Sequence, residues 1–343
     1  MLVKGFVNIH SSQNLSLEGR RAREQTKADN KEMLTGGGEG NDVINAPFTM
    51  GELMRALAKT NDSAPGKDEI CYTMLRQLSK EGLKKLLALY NKVWLMGKVP
   101  EGWKEAIILP IRKPGRDPSN PGSYRPIALT STVGKIMERM VNVRLTWYLE
   151  KHKWIATCQS GFRTGRGTLD PVLCLENEIS KARVNKEMVA AVFMDIEKAY
   201  DMMWKDGLMI KMRRMGVNGR MFDWIRDFLE DRKIQVRVGK MMSGQFRTEN
   251  GTPQGSVISP TLFLIMINDI FDKVPTELGR SLFADDGALW KRGRNKKHLV
   301  RKMQQGLKQV EDWGMKWGFR FSVEKSKVLV FTGKRQREQC ELT

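Results

Sequence analysis

Two adjacent acids, Asp285 and Asp286, follow the apolar pair Phe283-Ala284, and a third, Asp195, ends the apolar run Ala190-Ala191-Val192-Phe193-Met194. Neighbouring carboxylates repel one another unless a cation sits between them, and an all-oxygen cluster without His or Cys suits Mg²⁺. Two such ions held roughly 3.5–4 Å apart activate an attacking oxygen and stabilise a leaving one, which takes carboxylates arriving from two different elements. The chemistry these residues point to is metal-assisted phosphoryl transfer.

The elements that must present these acids can be read around them. The apolar run before Asp195 reads as a buried strand, with Lys198-Ala199-Tyr200-Asp201 leading on into a helix. Ser281-Leu282-Phe283 and Ala288-Leu289-Trp290 flank Asp285-Asp286-Gly287. Asp-Gly between apolar runs is a hairpin signal, so both acids are expected on a tight turn. Further upstream, Thr49-Met50-Gly51-Glu52 is a capping box that opens a helix, and residues 83–94 place apolar side chains at helical spacing. Residues 106–111 read as a strand followed by the basic turn Arg112-Lys113-Pro114-Gly115, and a helix is expected from Thr132. Alternation over 234–238 and again over 245–248 gives a hairpin, and the loop Asn250-Gly251-Thr252-Pro253-Gln254-Gly255-Ser256 follows it. Glycines beside a glutamine let the backbone approach a flat ligand closely. After Ser259-Pro260, a cap and first-turn proline, comes an apolar helix; Leu299, Met303, Leu307, Val310 and Trp317 mark a second, amphipathic one before a strand at 328–331.

The chain of 343 residues carries 59 Lys and Arg against 39 Asp and Glu, a net charge of +20, which fits a polyanionic partner such as nucleic acid. Cys71, Cys158, Cys174 and Cys340 form no Cys-x-x-Cys pair, so neither a disulfide framework nor a zinc site is indicated, and a reducing, intracellular compartment is the expectation. His10, His152 and His298 lack metal-ligand spacing. No stretch is long and apolar enough for a membrane span, and neither a P-loop nor a dinucleotide fingerprint occurs. Residues 11–45 are polar and glycine-containing, so 1–45 is expected to be a disordered leader.

Five blocks stand in order: Ser123-Tyr124-Arg125-Pro126-Ile127, Gln159-Ser160-Gly161-Phe162-Arg163, Phe193-Met194-Asp195 running on to Asp201, Gly251-Thr252-Pro253-Gln254-Gly255-Ser256, and Phe283-Ala284-Asp285-Asp286. Together they closely resemble the reverse transcriptase of non-LTR (LINE-type) retrotransposons, of a jockey-like lineage, over about residues 48–331. The resemblance implies an α+β right-hand polymerase with fingers and the fingers/palm junction over 46–190 and a palm with an antiparallel sheet and packed helices over 191–333; a basic tail is expected over 334–343. It implies an RNA template, a DNA primer and dNTP as partners, and two Mg²⁺, with Mn²⁺ as an alternative. The family's preceding endonuclease and following thumb are not expected in this stretch. A catalytically silent nucleic-acid-binding remnant of a retrotransposon is the alternative function.

Carried onto this sequence, the resemblance makes Asp195, Asp285 and Asp286 metal ligands, with the backbone carbonyl of Ile196 as a further one. Tyr200 resembles the aromatic residue that excludes a ribose 2′-hydroxyl; an aromatic packed under a helix start is the competing reading. Gln254 and Gly255 would contact the nucleotide, while Arg125 and Lys113 would hold its triphosphate, a role that suits bidentate arginine. Phe162 and Arg163 resemble a template-side block, although a plain turn before a helix accounts equally well for the glycines. Lys325 matches a lysine that protonates departing pyrophosphate, with Lys327 as the alternative.

Overall fold

The computed structural model describes residues 2–38 and 40–333. Its strands are β1 (Glu105–Arg112), β2 (Tyr124–Leu129), β3 (Met188–Asp195), β4 (Lys233–Val238), β5 (Met241–Met242), β6 (Phe246–Arg247), β7 (Gly279–Phe283), β8 (Asp286–Gly293) and β9 (Lys327–Phe331). They form two sheets, each within one of two units that are discontinuous in sequence.

The first unit takes the chain up to Ser16, Gln25–Trp154 and Tyr200–Leu262. Its sheet has the order β2-β1-β4-β5, with β6 also paired to β4. β1 is antiparallel to β2, Ile107 opposite Leu129 and Ile111 opposite Arg125, and parallel to β4. One face of this sheet packs Ala106, Ile108, Ala128, Ile234 and Val236 into a core that also takes Phe6. That contact corrects the expectation of a disordered leader. Leu2–Ile9, Leu17–Asp29 and Lys31–Leu34 are helical, and Ile44 is fully buried. Composition alone misjudges the segment because partners distant in sequence hold its backbone: Arg144 donates to the Ile44 carbonyl, and Arg213 to those of Thr35 and Gly37.

The capping box is present: Thr49 accepts from the Glu52 N–H while Glu52 accepts from the Thr49 N–H, opening the helix Met50–Ala58. The helix Lys80–Met96 buries Tyr90, Val93 and Trp94, and Tyr90 donates its hydroxyl proton to the Val133 carbonyl in the helix Thr132–Lys151.

The second unit comprises Leu17–Glu24, Ile155–Ala199 and the chain from Phe263 onward. Its sheet, β7-β8-β3-β9, is antiparallel throughout. Val189, Ala191, Ala288 and Trp290 pack beneath Ala182 of the helix Leu169–Val184. Leu289 points to the other face, where the helix Lys296–Trp317 lies close enough that a side chain at Gly306 would meet it at 3.5 Å. Coverage on both faces explains why β3 is an unbroken apolar run rather than an alternating one. The two consecutive blocks expected at 46–190 and 191–333 do not match this division, since Tyr200–Leu262 joins the first unit. The tail expected at 334–343 lies outside the described residues.

Asp227 is the first unit's most exacting buried ion pair. Its carboxylate, 6% exposed, meets Lys104 at 2.7 Å and Lys98 at 2.9 Å and accepts from the Val99 N–H at 2.7 Å. Burial pushes its pKa up, but the hydrogen bonds from Lys104, Val99 and Lys98 outweigh that and hold it below the usual aspartate value. A carboxylate depressed in the fold contributes stability that is complete above the unfolded pKa of about 3.9 and is lost as pH falls through the folded one. Asp227→Asn should therefore lower stability by about 3–5 kcal/mol at neutral pH, since Lys104 is left buried and uncompensated. Its melting temperature should also fall less steeply on acidification than that of wild type, which thermal denaturation from pH 7 to 3 measures.

Candidate active site

The register of the second sheet brings the three acids to one end. Asp195 is the last residue of β3 and lies directly opposite Asp286, the first residue of β8. Phe283 pairs with Asp286, so the β7–β8 turn has Ala284 and Asp285 as its two central residues. The Asp-Gly signal thus marks the start of β8 and not the turn itself. Ala284 has φ +55°, and positive φ at the first central position is where hairpins of this length favour glycine.

Burial raises the pKa of Asp285, and the charges of Asp286 and Asp195 raise it further. Burial and then Asp195 raise that of Asp286 as well. Lys325 opposes both shifts, and its Nζ lies 2.9 Å from Oδ2 of Asp195. The pair is well exposed, 63% and 27%, so its net contribution to stability is about 0–1 kcal/mol. The geometry distinguishes the two lysines, because Lys327 turns its amine to the Glu324 carbonyl. β9 positions Lys325 by pairing with β3, helped by a bond from the Ser322 N–H to the Asp195 carbonyl. Next to it, Ile196 bridges Phe321 and Glu197 N–H donates to the Arg320 carbonyl.

Among the described residues no three Asp, Glu, His or Cys side chains form a group able to hold a metal. The donor set still fits one: three hard carboxylates, two of them raised in pKa by burial first and by neighbouring carboxylates second, with the Lys325 ammonium opposing. A divalent cation would relieve that repulsion.

In the same unit, Phe162 is 55% exposed with φ +55°. Arg163 turns inward and donates Nη1 to the carbonyls of Ala156 and Gln159 at 3.1 and 3.0 Å, so this guanidinium helps to shape its own loop.

A second group of expected site residues forms one network within the first unit. The segment at Tyr200 and the loop at 251–254 are tied by backbone bonds, Thr252 N–H to the Tyr200 carbonyl at 3.0 Å and Gly251 N–H to that of Met203 at 2.8 Å. Gln254 donates Nε2 to both oxygens of Asp201, at 3.0 and 2.9 Å, and its carbonyl accepts from Ala128 N–H on β2. That strand carries the exposed Arg125. Lys113, just beyond β1, donates its amine to the Gly122 carbonyl at 3.0 Å and closes the β1–β2 hairpin. Two buried acids missed in the sequence hold this loop. Asp201 left a trace, standing beside Tyr200. Glu138, which accepts from the Ser256 hydroxyl and the Val257 N–H, left none, because it looks like any polar residue of a helix.

The acids on the antiparallel strands of the second unit, and the glutamine-glycine loop beside the Tyr200-Asp201 segment in the first, are blocks on which the resemblance to reverse transcriptases rests. The reverse transcriptase (RNA-dependent DNA polymerase) family matches residues 111–342, and the chain belongs to it. It is similar to the RNA-directed DNA polymerase from the mobile element jockey of Drosophila melanogaster, 31% identical over 293 residues, covering 83% of this chain and 32% of the relative. The probable RNA-directed DNA polymerases from transposon X-element and transposon BS of the same organism are 29% and 30% identical, over 86% and 82% of this chain and 33% and 32% of their own lengths. The chain thus spans about a third of the length of these relatives. The resemblance to jockey-like non-LTR elements is borne out, as is the α+β fold class. No described helix is long and apolar enough to cross a membrane.

Gly255 shows how closely the loop is fitted. Its φ is +121°, and an added Cβ would lie 2.8 Å from the Ala128 carbonyl oxygen, a backbone atom that cannot swing away. Gly255→Ala should destabilise the chain by about 1–3 kcal/mol. A clearly lowered melting temperature for this variant, beside a smaller drop for Gly239→Ala, where φ is +59° but no atom lies within 4 Å of the added Cβ, checks the close approach.

Proposed function

We propose that this chain is a reverse transcriptase core that adds dNTPs to a DNA primer along an RNA template. The observation that carries the reading is the register of Asp195 against Asp286, with Lys325 beside Asp195. The reaction is in-line attack of the primer 3′-oxygen on the α-phosphate of a dNTP, with pyrophosphate leaving. Asp195, Asp285 and Asp286, with the Ile196 carbonyl, would hold two Mg²⁺, or Mn²⁺ in their place; when bound, the ions would activate the attacking oxygen and stabilise the leaving one. Lys325 is the general acid that gives its proton to departing pyrophosphate.

On the nucleotide side, Gln254 and Gly255 receive the dNTP, Arg125 grips its triphosphate as a fork of donors, and Lys113 adds a point charge. Tyr200 excludes the 2′-hydroxyl, while Phe162 and Arg163 border the template. The excess of basic over acidic residues supports a nucleic-acid partner held largely by its phosphates.

Primer extension on an RNA template with Mg²⁺ and dNTPs tests the reading. Asp195→Asn and Asp285→Asn should each abolish extension, a loss of about 10³-fold or more, while leaving melting temperatures within a few degrees of wild type, since each removes a charge at a strand tip and no core volume. Wild-type extension by either variant at matched metal concentration would remove the assignment.

Tyr200→Ala separates a gate from a packing role. A site shaped against a 2′-hydroxyl loses discrimination worth more than the ~1–3 kcal/mol of one methylene when its wall is removed. The ratio of dNTP to rNTP incorporation efficiency should therefore collapse in this variant. An unchanged ratio together with a lower melting temperature would instead identify Tyr200 as a packing residue.

A further inference from the structure

The turn that carries Asp285 has a backbone it should not favour. Ala284 holds φ +55°, a region that an L-residue with a Cβ rarely occupies and that persists only when its surroundings enforce it. The enforcing contact is a single side chain. Gln159, 1% exposed, accepts at Oε1 from the Ala284 N–H at 3.0 Å and, at 3.4 Å, donates Nε2 to the Ala284 carbonyl. Both polar groups of the turn's first central residue are thus engaged by one amide.

The amide is itself fixed. Oε1 of Gln159 also accepts from the Gly161 N–H at 2.7 Å. Residues 158–160 run alongside β7, with the Leu282 N–H donating to the Cys158 carbonyl at 2.8 Å and the Ser160 N–H to the Leu282 carbonyl at 2.9 Å. Glycine at 161 is required for this approach, because a Cβ there would lie 2.3 Å from the Ala284 nitrogen. Three residues beyond Gln159 the chain turns again at Phe162, which carries its own φ of +55°.

We propose that Gln159 is a positioning residue: it locks the Ala284 peptide and so fixes the direction in which the turn presents Asp285 and Asp286. This rests on the reading of those acids as the reacting site's carboxylates. Gln159 touches neither substrate nor reacting atoms in this role. It acts through the turn, and displacement of a reacting group by an ångström is enough to slow chemistry by orders of magnitude.

The test uses the full chain with Gln159→Met, which keeps the volume and removes the hydrogen bonds, and Gln159→Asn, which is one methylene too short to span them and serves if the first variant does not fold. Three quantities are read: exchange of the Ala284 amide proton by NMR, kcat and the dNTP KM in primer extension, and melting temperature. Exchange at Ala284 should accelerate by about tenfold or more as the turn opens locally. kcat should fall by about tenfold or more with KM within about twofold, the pattern of a lost transition-state contact. Adding Ala284→Gly to Gln159→Met should recover about threefold in kcat, because glycine holds positive φ without a clamp. Normal kcat despite faster exchange, unchanged exchange, or equal losses in kcat and KM with no recovery by Ala284→Gly each overturns the proposal. Asp285→Asn in the same assay separates the two layers: if it extends primers normally, the reading of the acids fails, whereas the Ala284 exchange rate reports on the clamp without any turnover.

Discussion

The antiparallel pairing of β3 with β8 is the constraint on which the second unit rests. Eight consecutive residue pairs, from Met188–Gly293 to Asp195–Asp286, fix the register. A slip of one residue would turn the Val189 and Ala191 face away from the helix Leu169–Val184 and carry Asp286 away from Asp195, so the packing and the pairing of the acids are enforced by the same ladder. Helices on both sides make that register costly to lose. The raised pKa values of Asp285 and Asp286 are then a consequence: burial at the end of the sheet raises both, and the neighbouring carboxylates raise them further.

Polar loops in this chain are held by buried polar anchors and not by their own propensity. Asp201 holds the side chain of Gln254, Glu138 the backbone at Ser256 and Val257, and Gln159 the Ala284 peptide. Each anchor satisfies donors that would otherwise be stranded, so its removal leaves a buried unpaired group and its loop loses its shape.

Much of this was legible in the sequence because local signals agreed. The Thr49 box, Ser259-Pro260 and the heptad-like spacing from Leu299 to Trp317 each announce a helix that the structure contains. The apolar runs before Asp195 and around Asp285 announce strands, and five ordered blocks announce the family. What stayed hidden depends on distance. Lys325 reaches Asp195 across 130 residues, and Phe6 finds its pocket on a sheet built from 105–129 and 233–247. The split of the chain at Tyr200 and Leu262 follows from which surfaces pack together, which no local pattern encodes. The turn precedes Asp-Gly for a different reason: Asp-Gly is a good hairpin signal, but pairing of Phe283 with Asp286 and the Gln159 amide favour Ala284-Asp285.

We propose that the register of one sheet brings Asp195 and Asp286 together to hold a divalent cation. Electron paramagnetic resonance of Mn²⁺ titrated into the chain, with an RNA template, a DNA primer and a non-hydrolysable dNTP present, tests it without any turnover. The account predicts bound Mn²⁺ in wild type that is lost in Asp195→Asn and displaced by excess Mg²⁺. Equal Mn²⁺ binding by wild type and Asp195→Asn would contradict it.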